Sequence, residues 1–227
     1  MIRFDRVSKR YAGGQLALRE LSFEIGKGEM VFLTGHSGAG KSTLLRLLLM
    51  LERATRGQVL LDGRNLTTTP DREAPAVRQG VGMIFQDHKL LADKSVFDNV
   101  ALPLMIAGYR YGDIRKRVRG ALKMVGLEDR ERDWPLALSG GEQQRIGVAR
   151  AVVAMPPVLL ADEPTGNLDP ELSWELFGLF RNLNERGVTV LIASHDLDLV
   201  RRMRQRVLVL SEGRLVQDWV PKQGRDA

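Results

Sequence analysis

The stretch "MVFLTGHSGAGKST", Met30 to Thr43, constrains this chain more than any other. Met30 to Thr34 is almost wholly apolar, as expected of a strand buried on both faces. It runs directly into Gly35-His36-Ser37-Gly38-Ala39-Gly40-Lys41-Ser42, which matches the phosphate-loop pattern G-x-x-x-x-G-K-[ST]. A helical pattern follows from Lys41 to Leu51. Glycines let successive backbone N–H groups wrap an anion, and the following helix adds its positive N-terminus. Lys41 then reaches the β- and γ-phosphates of a nucleoside triphosphate, and the Ser42 hydroxyl binds Mg²⁺. His36, Ser37, Ala39 and Thr43 belong to the site by position in the loop. His36 occupies a variable position, and its side chain is given no role.

Two further apolar runs, "VLLA" (Val158 to Ala161) and "VTVLIA" (Val188 to Ala193), lead into "DEPTGNLD" and "SHD". Helical patterns follow at Pro170 to Glu185 and Asp196 to Met203. Alternating strands and helices predict an α/β fold with a parallel-sheet core. Open parallel sheets bind ligands beyond the carboxyl ends of their strands, where these polar clusters fall. Near the start, "IRFDRV" and "LSFEI" alternate as half-buried strands do. "SVFDNVALPLMIAG" and "GDIRKRVRGALKMVGL" read as amphipathic helices, so a helical subdomain is expected over about 87–153. Two last strands, "RVLVLS" and "RLVQDWV", flank a turn at Glu212-Gly213.

Several single residues fit triphosphate chemistry. Asp162 is expected to hold Mg²⁺, through water. Glu163 is expected to orient and polarise the attacking water, as a general base does. His195 can contact the γ-phosphate and sense its loss; Ser194 and Asp196 beside it are also good helix caps. Gln86 closes the apolar run "VGMIF" and can touch both Mg²⁺ and the attacking water. Tyr11 offers a ring on which adenine can stack, and it also reads as an ordinary aromatic near a turn. Asp169 precedes Pro170, a helix-starting pair, and is assigned to nucleotide binding as well.

"LSGGE", Leu138 to Glu142, carries two glycines at a predicted helix start, where each costs up to about 1 kcal/mol relative to alanine. Ser139 and Glu142 make an S-x-x-E capping box, but a cap does not need two bare residues behind it. Bare amides at a helix start form a second anion site. The phosphate loop already surrounds its own nucleotide, so this one serves a nucleotide held by another copy. The expectation is a head-to-tail homodimer closed by ATP, each site completed by the partner's signature serine and glycines.

Composition adds limits. The 227 residues contain no cysteine, which excludes disulfides and thiolate metal sites. The N-terminal residues lack a signal-like apolar stretch, and "LLRLLLML" (Leu44 to Leu51) is too short to span a bilayer. A soluble protein is expected, with any membrane role supplied by a partner. The net charge of +6 fits an anionic membrane, nucleic acid, nucleotides or a scattered solvated surface. The basic runs "RKRVRGALK" and "RRMRQR" read as solvated helix faces.

The ordered set of phosphate loop, glutamine loop, "LSGGEQQR", "LLADEP", "GNLD" and switch histidine resembles the ATP-binding cassette (ABC) family over nearly the whole chain. The resemblance implies one P-loop ATPase domain over 1–227, an α/β fold. Its RecA-like parallel core carries an N-terminal antiparallel β part and an inserted helical subdomain. ATP and Mg²⁺ are the implied ligands. About a hundred residues between phosphate loop and signature are too few for the coiled coil of the DNA-repair relatives, so no nucleic acid is expected. "GMIFQDHKLLADKSVFDNVALPLMIAG" resembles the bacterial cell-division branch most. That implies an integral membrane partner of the FtsX type, other division proteins, and a place at the cytoplasmic face of the inner membrane at the division site. It also implies a groove for a partner helix beside the glutamine loop, with Leu90, Leu91 and Phe97 as its lining. The branch is thought to couple its ATP cycle to septal peptidoglycan hydrolysis. Lipoprotein-releasing and macrolide-export cassettes, a soluble nucleic-acid ATPase, and a scaffold gated by nucleotide binding alone are the alternatives. One departure is "LLLMLERATRG", where such proteins more often have a glycine before the acidic residue and proline in place of Ala54.

Overall fold

A computed structural model describes residues 1–166 and 168–220; Asn167 of the "GNLD" stretch lies outside the described residues. The chain divides into two compact units, Met1–Arg78 with Asn184–Ala227, and Gln79–Leu183.

The first unit opens with an antiparallel sheet of β1 (Ile2–Arg10), β2 (Leu16–Ile25), β4 (Arg56–Leu61) and β5 (Arg64–Asn65), in the order β2-β1-β4-β5. Ile2 and Phe4 turn inward from β1, and Phe4 stacks on Phe23 of β2 at 4.7 Å between ring centroids. Register shifts beyond Phe4 bring Val7 and then Lys9 to the buried side. β4 carries too little alternation to be read from the sequence.

The same unit holds β3 (Met30–Thr34), paired in parallel with both β8 (Thr189–Ala193) and β9 (Arg206–Ser211). All five residues of β3 and of β8 are buried, as two-sided coverage requires. β10 (Arg214–Trp219) returns antiparallel to β9 across Glu212 and Gly213, whose φ values of +48° and +76° make the tight hairpin turn. Helix α1 (Lys41–Leu48) follows β3 and stops three residues before the apolar pattern does. The chain reverses at Met50, whose φ of +51° is left-handed and would cost glycine nothing. This reversal falls in the stretch that departs from the family pattern. Helix α2 (Ala74–Gln79) runs to the boundary with the second unit. Helix α7 (Leu197–Met203) begins one residue later than its pattern, because Asp196 is its cap and accepts from the Leu199 amide at 3.0 Å.

In the second unit β6 (Val81–Ile84) pairs in parallel with β7 (Val158–Asp162). Three helices, α3 (Val96–Ile106), α4 (Tyr111–Met124) and α5 (Gly140–Val152), lie between them in the chain. α5 approaches β6 so closely that a Cβ on Gly82 would stand 2.4 Å from the Ala151 carbonyl oxygen. α6 (Pro170–Glu185) buries Leu176, Phe177, Phe180 and Leu183, with the two phenylalanine rings edge to face. No helix among the described residues is long and apolar enough to cross a membrane.

Candidate functional site

The phosphate loop leaves the carboxyl end of β3. Its glycines are required for different reasons. Gly35 (φ +146°) and Gly40 (φ +108°) are jammed: an added Cβ would lie 2.3 Å from the Leu210 carbonyl oxygen or 2.7 Å from that of Ala17. Gly38 (φ +80°) has nothing within 4 Å of such a Cβ, so it faces the loop's open side. Lys41 is almost buried, and its ammonium donates to the carbonyls of Gly35 at 2.7 Å and His36 at 3.4 Å. The His36 ring bonds only to its neighbour's carbonyl among the described contacts, 2.7 Å from Ser37 O. Ser42 is exposed at the start of α1.

His195 joins this loop. Leu33 and Ala193 are in register on adjacent parallel strands, so Gly35 and His195 leave the same edge. The Ser194 amide donates to the Leu33 carbonyl at 3.1 Å and locks that junction, with the His195 side chain exposed. Tyr11 reaches the same place from the end of β1. Its hydroxyl is 3.2 Å from Thr43 Oγ1 in the first turn of α1. Tyr11 is half-buried, not an open surface aromatic.

In the second unit Ile84 of β6 is in register with Ala161 of β7. Gln86, Asp162 and Glu163 therefore leave one strand edge together, with Gln86 exposed and both acids half-buried. Glu163 has a φ of +49°, in the left-handed region that non-glycine residues avoid, and its carbonyl accepts from the Gly166 amide at 3.2 Å. The signature forms a complete capping box. The Ser139 hydroxyl accepts from the Glu142 amide, while the Glu142 carboxylate accepts from the Ser139 amide at 2.9 Å and its hydroxyl at 2.8 Å. Those bonds hold the Glu142 carboxyl below its ordinary range, the backbone one first. A Cβ on Gly140 would meet nothing within 4 Å, and one on Gly141 would touch Leu168 and Leu172 at 3.4 Å. The start of α5 thus lies beside the start of α6, which Asp169 caps by accepting from the Leu172 amide at 2.9 Å.

Residues that sequence reading passed over organise the segment after Gln86. His88 and Lys89 are both left-handed, at φ +56° and +49°. The Arg150 guanidinium donates to both their carbonyls, and the buried Gln144 side chain bonds the His88 ring. Burial lowers the Arg150 guanidinium from its usual range. Fully buried Asn99 binds the amide and carbonyl of Leu91, fixing the segment where Leu90 and Phe97 are half-buried and Leu91 exposed. Nothing in the sequence marks Arg150 for this task, because its partners are backbone carbonyls.

The family model of the ABC transporter matches residues 18–166. The chain belongs to the ABC transporter family. This ABC ATPase is 56% identical over 215 residues to the cell division ATP-binding protein FtsE of Escherichia coli K12, covering 95% of this chain and 97% of that one. It is 44% identical to FtsE of Bacillus subtilis, covering 96% of each. Among solved structures, the dimeric ABC transporter cassette MJ0796 superposes with a TM-score of 0.92 at 35% identity, covering 99% of this chain and 100% of the other. A second dimeric MJ0796 structure, a post-hydrolysis state bound to ADP and Pi, gives the same TM-score at 33% identity, with the same coverage.

Proposed function

We propose that this chain is the ATP-driven subunit of a bacterial cell-division complex, working as a clamp. Two copies close head to tail on two ATP molecules, and hydrolysis reopens them. An FtsX-type integral membrane protein receives that motion and passes it across the inner membrane to septal peptidoglycan hydrolysis. The observation that carries this reading is the 56% identity to FtsE across almost the whole of both chains. The dimeric form of the superposing MJ0796 cassette supports the clamp.

Each residue has a distinct task in this reading. The amides around Gly38 and the Lys41 ammonium bind the triphosphate. Lys41 exchanges its loop carbonyls for phosphate oxygens. Ser42, Gln86 and Asp162 offer hydroxyl, amide and carboxylate oxygens, the hard donors that Mg²⁺ selects, alongside phosphate oxygens. Bound there, Mg²⁺ would neutralise charge on the β- and γ-phosphates. No group of three or more His, Asp or Glu among the described residues could cage a metal unaided, which suits an ion brought in with the nucleotide. Glu163 orients the attacking water, and His195 contacts the γ-phosphate. Ser139, Gly140 and Gly141 serve the nucleotide of the facing copy, and Asp169 takes part in nucleotide binding as well as capping α6.

The test is to recover tagged Glu163→Gln protein from membranes in the presence of ATP. Co-purification of a small polytopic protein with a periplasmic domain, whose loss leaves cells filamentous, is the expected result. Recovery of an exporter subunit instead would overturn the division reading in favour of lipoprotein release or drug export. Recovery of nucleic acid with no membrane protein would overturn both.

A further inference from the structure

We propose that Lys9 and Glu52 are positioning residues that set the base-stacking face of Tyr11 and so help this chain select an adenine nucleotide over a bare polyphosphate. The proposal rests on the reading of Tyr11 as the adenine platform.

Lys9 occupies an inward position of β1. Register shifts on either side of it place it opposite Leu18, and only 9% of it is exposed. Lysine is among the residues least often buried, and an ammonium taken from water must be paired. Its partner is Glu52, 2.7 Å away, in the segment that follows α1. Such a pair is a poor device for stability, because well-packed apolar residues in its place usually serve as well. Something other than folding must justify the charge.

The ammonium lies 4.9 Å from the centroid of the Tyr11 ring, over one face. A cation at that distance is attracted by the ring quadrupole and restricts the ring's rotation. The Tyr11 hydroxyl is meanwhile tied to Thr43, next to Ser42 in the first turn of α1. The ring is therefore held at two points, its edge by the phosphate-loop helix and one face by Lys9. The opposite face is the one assigned to the base. Stacking on a ring already fixed avoids the entropy of ordering it on binding. The cation also draws electron density from the ring, which favours contact with the electron-rich face of adenine.

The experiment measures binding of Mg·ATP and of magnesium tripolyphosphate, which has no base, to the full chain and its variants by calorimetry. Lys9→Met should weaken ATP binding by about five- to tenfold and leave tripolyphosphate binding unchanged. Glu52→Gln should shift ATP in the same direction by less, and Lys9→Arg should restore most of the wild-type affinity. Equal weakening of ATP and tripolyphosphate would show that Lys9 only supports the fold. Unchanged ATP binding in both Lys9→Met and Glu52→Gln, with Tyr11→Ala weakened, would overturn the role of the pair alone. Unchanged ATP binding in Tyr11→Ala would remove the adenine platform itself, and the proposal with it.

Discussion

Arg150 holds Lys89 by its backbone: guanidinium Nη1 is 2.7 Å from the Lys89 carbonyl oxygen, and Nη2 is 2.5 Å from that of His88. The planar fork of Arg150 satisfies two successive carbonyls at once, both from left-handed residues. A lysine ammonium is a compact point donor without that fixed fork and meets this pair of carbonyls less well. Arg150→Lys should lower unfolding free energy by about 1–2 kcal/mol, measured by urea titration. If this segment carries Gln86 into catalysis, turnover should fall while KM for ATP stays near wild type. A change in KM alone would assign Arg150 to nucleotide binding instead.

Glu163 carries a cost in its backbone. Its φ of +49° puts a non-glycine residue in the left-handed region, worth about 1–2 kcal/mol. Glu163→Gly should raise thermal stability and abolish ATP hydrolysis. Glu163→Gln should keep the wild-type stability and slow hydrolysis by about 10²–10⁴-fold, with an ATP-bound dimer accumulating in light scattering. Hydrolysis at the wild-type rate in Glu163→Gln would remove the general-base role.

The polar clusters were legible because each ends an apolar run, and strand β3 with its glycine loop has little freedom to be anything else. The exact span of α6 and the turn at Glu212-Gly213 follow from their own residues in the same way. The Arg150 fork was not legible, since it bonds backbone carbonyls sixty residues away and leaves no side-chain pattern. Lys9 was not legible. It is a charge on the buried side of a strand, and its register depends on two shifts that alternation alone cannot locate. Met50 kept a helical pattern going past the point where the backbone reverses. Its side chain is buried although its backbone is left-handed, so periodicity did not mark the stop.

Gly38 and Gly40 should separate binding from folding. Alanine at Gly40 meets Ala17 O and Leu18 Cδ2 at 2.7 Å, so Gly40→Ala should destabilise by about 3 kcal/mol or more, through overlap and φ together. Alanine at Gly38 meets nothing, and its φ of +80° costs about 1 kcal/mol. Gly38→Ala should therefore stay folded and lose ATP affinity. Circular-dichroism melts with ATP titrations on both variants give the two readouts. A folded Gly38→Ala protein with wild-type affinity would place the triphosphate elsewhere.

The signature cap should reveal itself in acid. Hydrogen bonds from Ser139 hold the Glu142 carboxyl below its ordinary value of 4.5. A carboxyl lowered by folding contributes stability that is complete above that ordinary value and is lost as pH falls through the folded one. Wild-type protein should therefore lose stability more steeply than Glu142→Gln on acidification from about pH 5 to pH 3. Parallel curves of urea midpoint against pH would show that the box contributes nothing through charge. Ser139→Ala removes the cap as well and should cost about 1 kcal/mol at neutral pH. Its second effect separates capping from recognition. If Ser139 also serves the nucleotide of a facing copy, Ser139→Ala introduced into the Glu163→Gln background should bind ATP normally yet fail to dimerise. An ATP-bound dimer of wild-type stability in that double variant would leave Ser139 as a helix cap alone.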